Sequence, residues 1–167
     1  METCRKSIPH HHARGRAVAL TLIVLVGLNG CATWRNLRAT SPLSPAESLN
    51  LGVSYERDGK LALALREYER AATGSTKSIA MTYQGNIHVA RNEDAKAERK
   101  YRAALKVNPD NVMALNNLAW LLVQQNRSLD KAEALIRHAL EQNPVPRAPY
   151  ENTLKTILDA LHSAASK

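Results

Sequence analysis

A pattern of small and large apolar residues returns along this chain at a spacing of about 34, and that period sets what the chain can fold into. In Ala97–Asp110, AERKYRAALKVNPD, the residues Ala97, Tyr101 and Ala104 stand at steps of four and three, followed by Pro109. The same steps place Ala64, Tyr68 and Ala71 33 residues earlier, and Ala132, Ile136 and Ala139, closed by Pro144, 35 residues later. Such steps line one side of a helix. Small residues there let a neighbouring helix come close, and the large residue between them fills the space. A short unit with one such face cannot bury it alone, so its copies must stack. The period predicts a row of helical hairpins.

The composition agrees with close helix packing. There is no Phe and the aromatic fraction is only 4%, so the core must come from Leu, Ala, Val and Ile. An apolar fraction of 44% and a charged fraction of 23% are those of a folded chain. The formal charge is +8, but the basic residues are interleaved with Glu and Asp along the helix faces. That is a solvated pattern, and no nucleic-acid partner is expected from it.

The N-terminus reads as a targeting segment. Arg5, Lys6, Arg14 and Arg16 precede the apolar run Ala17–Leu28, AVALTLIVLVGL. The run falls short of the roughly 20 residues a membrane-spanning helix needs and suits the apolar region of a secretory signal, about 7–15 residues behind a basic start. A cut after Gly30 would put bulky Leu28 three residues before it, where ordinary signal peptidase wants a small residue. Leu28-Asn29-Gly30-Cys31 instead resembles a bacterial lipobox, with Asn29 in place of the commoner small residue. That resemblance implies removal of residues 1–30, a diacylglycerol on the Cys31 thiol and a fatty acyl group such as palmitate on its amino terminus. Ala32 would then favour the outer membrane, facing the periplasm. An uncleaved leader holding the protein at the inner membrane, for example in polysaccharide export, is the alternative. Residues 31–44 read as a tether, because Ser41-Pro42 and Ser44-Pro45 bias the backbone toward extended geometry. Trp34, with Arg35 and Arg38, suits either lipid headgroups or plain solvent.

Three repeats follow, over residues 45–77, 78–111 and 112–144, and residues 145–167 form a capping helix and tail. Ser44-Pro45 is a helix start, a capping residue followed by proline. Gly52 and Gly85 recur 33 residues apart where the two helices of a hairpin would cross, and Ala119 takes that place in the third repeat. Asp58-Gly59, Asn92 and Gln125–Ser128 are turns, the last with one extra residue. The closing helix is expected over Tyr150–Ser163, with Leu154, Ile157, Leu158 and Leu161 covering the last apolar face.

These residues resemble the tetratricopeptide repeat (TPR) family. The first repeat matches at Leu51, Gly52, Tyr55, Ala64, Tyr68 and Ala71, and the second at Gly85, Ala97, Tyr101, Ala104 and Pro109. The third matches at Leu118, Ala119, Ala132, Ile136, Ala139 and Pro144. Ser48, Met81 and Leu115 stand where that family commonly has a first-helix tryptophan. The resemblance implies an all-α, right-handed α-solenoid of about three helix-turn-helix repeats with a C-terminal capping helix. It also implies a protein-binding scaffold, not an enzyme.

By the same resemblance the first helices line an inner groove, at Leu49, Val53 and Glu56, then Thr82, Tyr83, Asn86 and Ala90, then Met113, Asn116, Trp120, Val123 and Gln124. The residues expected to hold a peptide are Thr82, Tyr83, Asn86, Asn116, Trp120 and Gln124, with Trp120 open to a core role as well. Of the positions that some TPR proteins use to clamp a terminal carboxylate, here Leu49, Val53, Tyr83, Met113 and Asn117, only Asn117 is polar enough to help, so that activity is not expected. No catalytic residue, metal site, cofactor or small-molecule substrate is expected. His10, His11 and His12 lie in the leader, and His88, His138 and His162 lack acidic or cysteine partners at ligand spacing, with His88 read as a core filler. The partner would be a protein or peptide of the cell envelope, in pilus, secretion or cell-wall machinery, with the membrane engaged through the lipid anchor. Replacing Cys31 with Ala is expected to move the protein from the membrane fraction to the soluble fraction. Unchanged membrane attachment would remove the lipid-anchor expectation.

Overall fold

The computed structural model describes residues 42–166, so the leader, Cys31 and Trp34 lie outside it. Ser44 starts the first helix, α1 (Pro45–Arg57), with a reciprocal cap: its hydroxyl accepts from the Glu47 N–H at 3.2 Å, and Glu47 Oε2 accepts from the Ser44 N–H at 2.8 Å. The Ser44 backbone N–H first, and then the Ser44 side chain, hold the Glu47 carboxyl below the usual carboxylate range. Then come α2 (Leu61–Ala71), a 3-10 turn (Gly74–Thr76), α3 (Lys77–Ala90), α4 (Asp94–Val107), α5 (Val112–Gln124), α6 (Leu129–Glu141) and α7 (Ala148–Ala165). No strand occurs among the described residues. The residues from Leu43 onward form one unit, in which α1/α2, α3/α4 and α5/α6 are hairpins, each packed on the next.

Each hairpin turn needs a residue of positive φ, a region that Gly enters freely and Asn tolerates better than most side chains. Gly59 at 72°, Asn92 at 57° and Asn126 at 47° fill that place in turn. The extra residue in the third turn adds Ser128 at 52°. The expected positions of all three turns are therefore the observed ones.

Within a hairpin the helices meet at the recurring glycine. A Cβ on Gly52 would lie 2.5 Å from Cε1 of Tyr68, and one on Gly85 would overlap the same ring edge of Tyr101. The absent side chain is the space the ring occupies. The third hairpin solves the same problem by changing both partners: Ala119 faces a core that holds Ile136, and both are fully buried. A methyl group is admitted where the ring is gone. Small-for-large exchange of this kind keeps the volume of a packed interior nearly constant.

Buried polar side chains join one repeat to the next. Asn111 caps α5 by accepting from the Ala114 N–H, while its amide donates to Ser78 Oγ at 2.8 Å and Thr82 Oγ1 at 3.0 Å. Ser78 donates to Ala104 O at 2.9 Å, and Thr82 to Ser78 O at 3.0 Å. Every member is satisfied inside the core, where each lost bond would cost about 1–3 kcal/mol. Thr82 is thus a correction to the groove expected from sequence: it is 0% exposed and its hydroxyl serves the joint between repeats. At the earlier joint, buried Gln84 donates to Tyr68 O at 3.0 Å and accepts from Lys100 Nζ at 2.6 Å.

The last helix closes the stack. α7 packs on α5 and α6 through Ile157, Leu154, Leu161 and Tyr150. It begins at Ala148, earlier than expected, with Pro149 inside its first turn, where a missing N–H costs nothing. Its outer side shows Lys155, Thr156, Asp159 and His162 to solvent, as the end of a solenoid requires.

Gly85→Ala should destabilise the protein by about 1–3 kcal/mol through overpacking against Tyr101, less the roughly 1 kcal/mol that alanine gains in a helix. Adding Tyr101→Ile rebuilds the pairing of the third hairpin. The double mutant should therefore melt above the temperature expected from summing the single changes, with a coupling of about 0.5–3 kcal/mol. Additive melting temperatures would show that the ring and the glycine do not compete for one volume.

Candidate peptide-binding groove

The first helices α3 and α5 leave a hollow between them of about 200 Å3, lined by Asn86, Val89, Tyr101, Asn117 and Trp120. Residues one helical turn apart supply each wall: Asn86 and Val89 on α3, Asn117 and Trp120 on α5. The floor is the edge of Tyr101, reaching between the walls from α4. The Gly85 crossing makes that reach possible, because the ring lies over the glycine and carries its hydroxyl beyond it.

Hydrogen bonds hold the hollow in shape. Asn86 Oδ1 accepts from the Tyr101 hydroxyl at 2.9 Å and from Asn117 Nδ2 at 2.8 Å. Asn117 Oδ1 accepts from Asn116 Nδ2 at 3.2 Å. Burial pushes the Tyr101 phenol up to about 12, against the pull of the Asn117 amide beside it and with the Glu56 carboxylate adding to the rise. The phenol therefore stays protonated and donates throughout the physiological range. In the first hairpin the corresponding ring, Tyr68 on α2, donates to Glu56 Oε2 on α1 at 2.5 Å, and burial first, then that carboxylate, push its phenol well above the usual value.

Two of the six residues expected to hold a peptide line this hollow, Asn86 and Trp120. Trp120 is 42% exposed, which places it on the surface and not in the core. Asn116 lies beside the hollow, with its Oδ1 buried and without a partner among the described residues. Tyr83 spends its ring on Tyr68, stacked at 5.1 Å between centroids. Gln124 is exposed at the last turn of α5, clear of the hollow. Thr82 is the buried residue of the repeat joint described above.

Three lining residues were outside that expected set: Val89, Tyr101 and Asn117. The Gly85–Tyr101 spacing of one crossing is the signal that could have found the floor, since it carries the ring through to the far side. The histidines also differ from expectation. His88 is mostly buried, as a core filler would be, but its Nδ1 lies 2.6 Å from Glu93 Oε2 across the α3–α4 turn. Hydrogen bonds from Lys96 first, then His88, hold the Glu93 carboxyl below the usual range. His138 Nε2 meets Asp110 Oδ1 at 2.8 Å. No cluster of three metal-ligating groups occurs among the described residues.

Comparison with known proteins falls on the same architecture. Residues 84–148 match the tetratricopeptide repeat family. Photosystem I assembly protein Ycf3 of Synechococcus sp. (strain CC9605) is 27% identical over 122 residues, spanning 63% of this chain and 70% of that one. Among solved structures, the Sgt2 TPR domain from Aspergillus fumigatus aligns with a TM-score of 0.64 at 15% identity, covering 78% of this chain and 87% of that one. The first TPR of Spaghetti (RPAP3) bound to the HSP90 peptide SRMEEVD aligns with a TM-score of 0.62 at 19% identity, covering 71% and 93%. PcrH from Pseudomonas aeruginosa aligns with a TM-score of 0.61 at 14% identity, covering 74% and 98%. Together the repeat match over residues 84–148 and these likenesses of fold make the described chain a TPR-type α-solenoid of helix-turn-helix repeats.

Proposed function

We propose that this protein is an assembly adaptor of a bacterial cell envelope, which holds a partner protein in the hollow between α3 and α5. The observation that carries this reading is the hollow itself: an indole, an aliphatic wall and neutral amides brought together on the first helices, with Trp120 standing half-exposed at its edge. An aromatic anchor beside amides is what an extended peptide segment needs, a surface for a side chain and partners for its backbone. Two comparisons support it. The Ycf3 relative is an assembly protein by name, and the Spaghetti domain is bound to a peptide.

The envelope setting rests on the leader, on Leu28-Asn29-Gly30-Cys31 and on Ala32. In this reading Cys31 is lipidated and fixes the solenoid to the outer membrane on its periplasmic side. A single acyl chain holds a protein only marginally, whereas several give a stable anchor at ~0.8 kcal/mol per buried methylene. In the same reading residues 31–44 join the lipid to the solenoid. Pilus, secretion or cell-wall machinery would supply them.

Photo-crosslinking tests the groove in place. A benzoylphenylalanine at Trp120 is expected to capture one discrete envelope protein, and the same group at Lys131 on α6 is expected to capture none. The Trp120 product should also vanish when Asn117 is replaced with Ala in the same chain. Equal capture from both positions, or capture that survives the Asn117 change, would take the partner out of the hollow.

A further inference from the structure

A second cavity opens on the other side of α5. It measures about 340 Å3 and is lined by Arg102 from α4, Leu122 from α5, and Lys131, Ala134, Leu135 and His138 from α6. Leu122 follows Trp120 by two residues, which turns it about 200° around the helix at 3.6 residues per turn. The cavity therefore lies toward the second helices α4 and α6, and it shares no lining residue with the hollow between α3 and α5. Its four residues on α6 stand at steps of three, one and three, which makes them one stripe of that helix. The stripe sets Ala134 and Leu135 between an ammonium and an imidazole, and Leu122 adds to the apolar floor.

No carboxylate lines this cavity among the described residues. Arg102 Nε donates to Glu98 Oε1 at 2.8 Å, and Arg127, from the turn between α5 and α6, draws on the same carboxylate. The terminal nitrogens of Arg102 and Nζ of Lys131 have no partner among the described residues. His138 Nε2 takes up Asp110. With that imidazole neutral, the lining groups and their direct partners set Arg102, Arg127 and Lys131 against Glu98 and Asp110, which leaves one positive charge unmatched. Asp130 and Glu133 belong to α6 but do not line the cavity, and Glu133 is held by Arg137 at 2.7 Å.

We infer that this cavity binds a small aliphatic monocarboxylate, with its head between Arg102 and Lys131 and its tail on Leu122, Ala134 and Leu135. An open guanidinium fork matches a carboxylate, and a second cation beside it offsets the water the head gives up. The apolar floor gives the tail a surface to cover, and the single unmatched charge fits a single anionic head. The volume is that of a small-molecule site, commonly about 300–1,000 Å3. A flat anionic membrane fits less well, because α6 sets Asp130, Glu133 and Glu141 against only Lys131 and Arg137. Since α4 belongs to the second repeat and α6 to the third, the ligand would brace that joint and raise the stability of the solenoid by mass action. This site is independent of the groove reading above.

The full chain, labelled with 15N and 13C and held in a non-ionic detergent, is titrated with hexanoate, with hexanol as the same tail without a charge, and with acetate as the head without a tail. Hexanoate is expected to shift the Arg102 Nε–H and Leu135 methyl signals saturably, and to bind at least about fivefold more tightly than either control. Lys131→Gln should weaken hexanoate by a similar factor. Ala134→Trp fills the apolar part without changing charge and should abolish binding. Both positions are exposed, so both variants should melt close to the parent. Trp120→Ala should leave hexanoate binding as it is. Hexanol binding as tightly as hexanoate overturns the anionic head, and acetate doing so overturns the tail. Saturable shifts that survive both Lys131→Gln and Ala134→Trp take the ligand out of this cavity. If hexanoate gives no saturable shift at millimolar concentration, the inference falls and the groove reading is untouched.

Discussion

The close crossing of a glycine under a tyrosine ring is the contact on which the rest of this solenoid depends. At Gly85 it does two things at once: it seats the second helix of the hairpin, and it lets the Tyr101 hydroxyl pass to the face where Asn86 and Asn117 wait. Stability and site geometry therefore draw on one packing decision. A methyl group at Gly85 would displace the ring, and the ring is the floor of the hollow. The third hairpin, with Ala119 and Ile136, keeps the packing but gives up the phenol, so it has nothing to send through. The described hollow with a hydrogen-bonded tyrosine floor accordingly sits at the second hairpin.

Polar groups divide into those that hold repeats together and those that face outward, and burial decides which. Ser78, Thr82 and Asn111 sit deep and satisfy one another, fixing the second repeat against the third. A partly satisfied network at that depth would cost more than an apolar joint, so its completeness favours one register between the two hairpins. Asn86 and Asn117 are shallower and only partly committed to each other. Their uncommitted hydrogen-bonding groups are at the hollow. The same residue type thus does opposite work at Asn111 and Asn117, six positions apart on neighbouring turns.

The hollow is built on fixed walls. The walls belong to helices locked by crossings on one side and by buried hydrogen bonds on the other, so the groups that line the hollow are already held in place. The terminal helix α7 contributes indirectly. By covering the apolar face that α5 and α6 would otherwise expose, it keeps α5, and with it Asn117 and Trp120, in position.

The sequence by itself determined the helical hairpins, because a period of about 34 with Ala, Tyr and Gly at fixed offsets admits few other solutions. It determined the start at Ser44, the turns at Gly59, Asn92 and Asn126, and the closing amphipathic helix, since capping, positive φ and helical periodicity are local properties. Only the tertiary structure decided which side of each first helix is covered by the next repeat. Thr82 and Asn86 are neighbours on one turn of α3, yet one is sealed into the joint and the other opens on the hollow. Likewise Tyr101 was legible as a packing residue, but its place in the floor depends on an approach between helices distant in sequence. Position along a helix is written in the spacing of residues; burial by a neighbour is a property of the assembled stack.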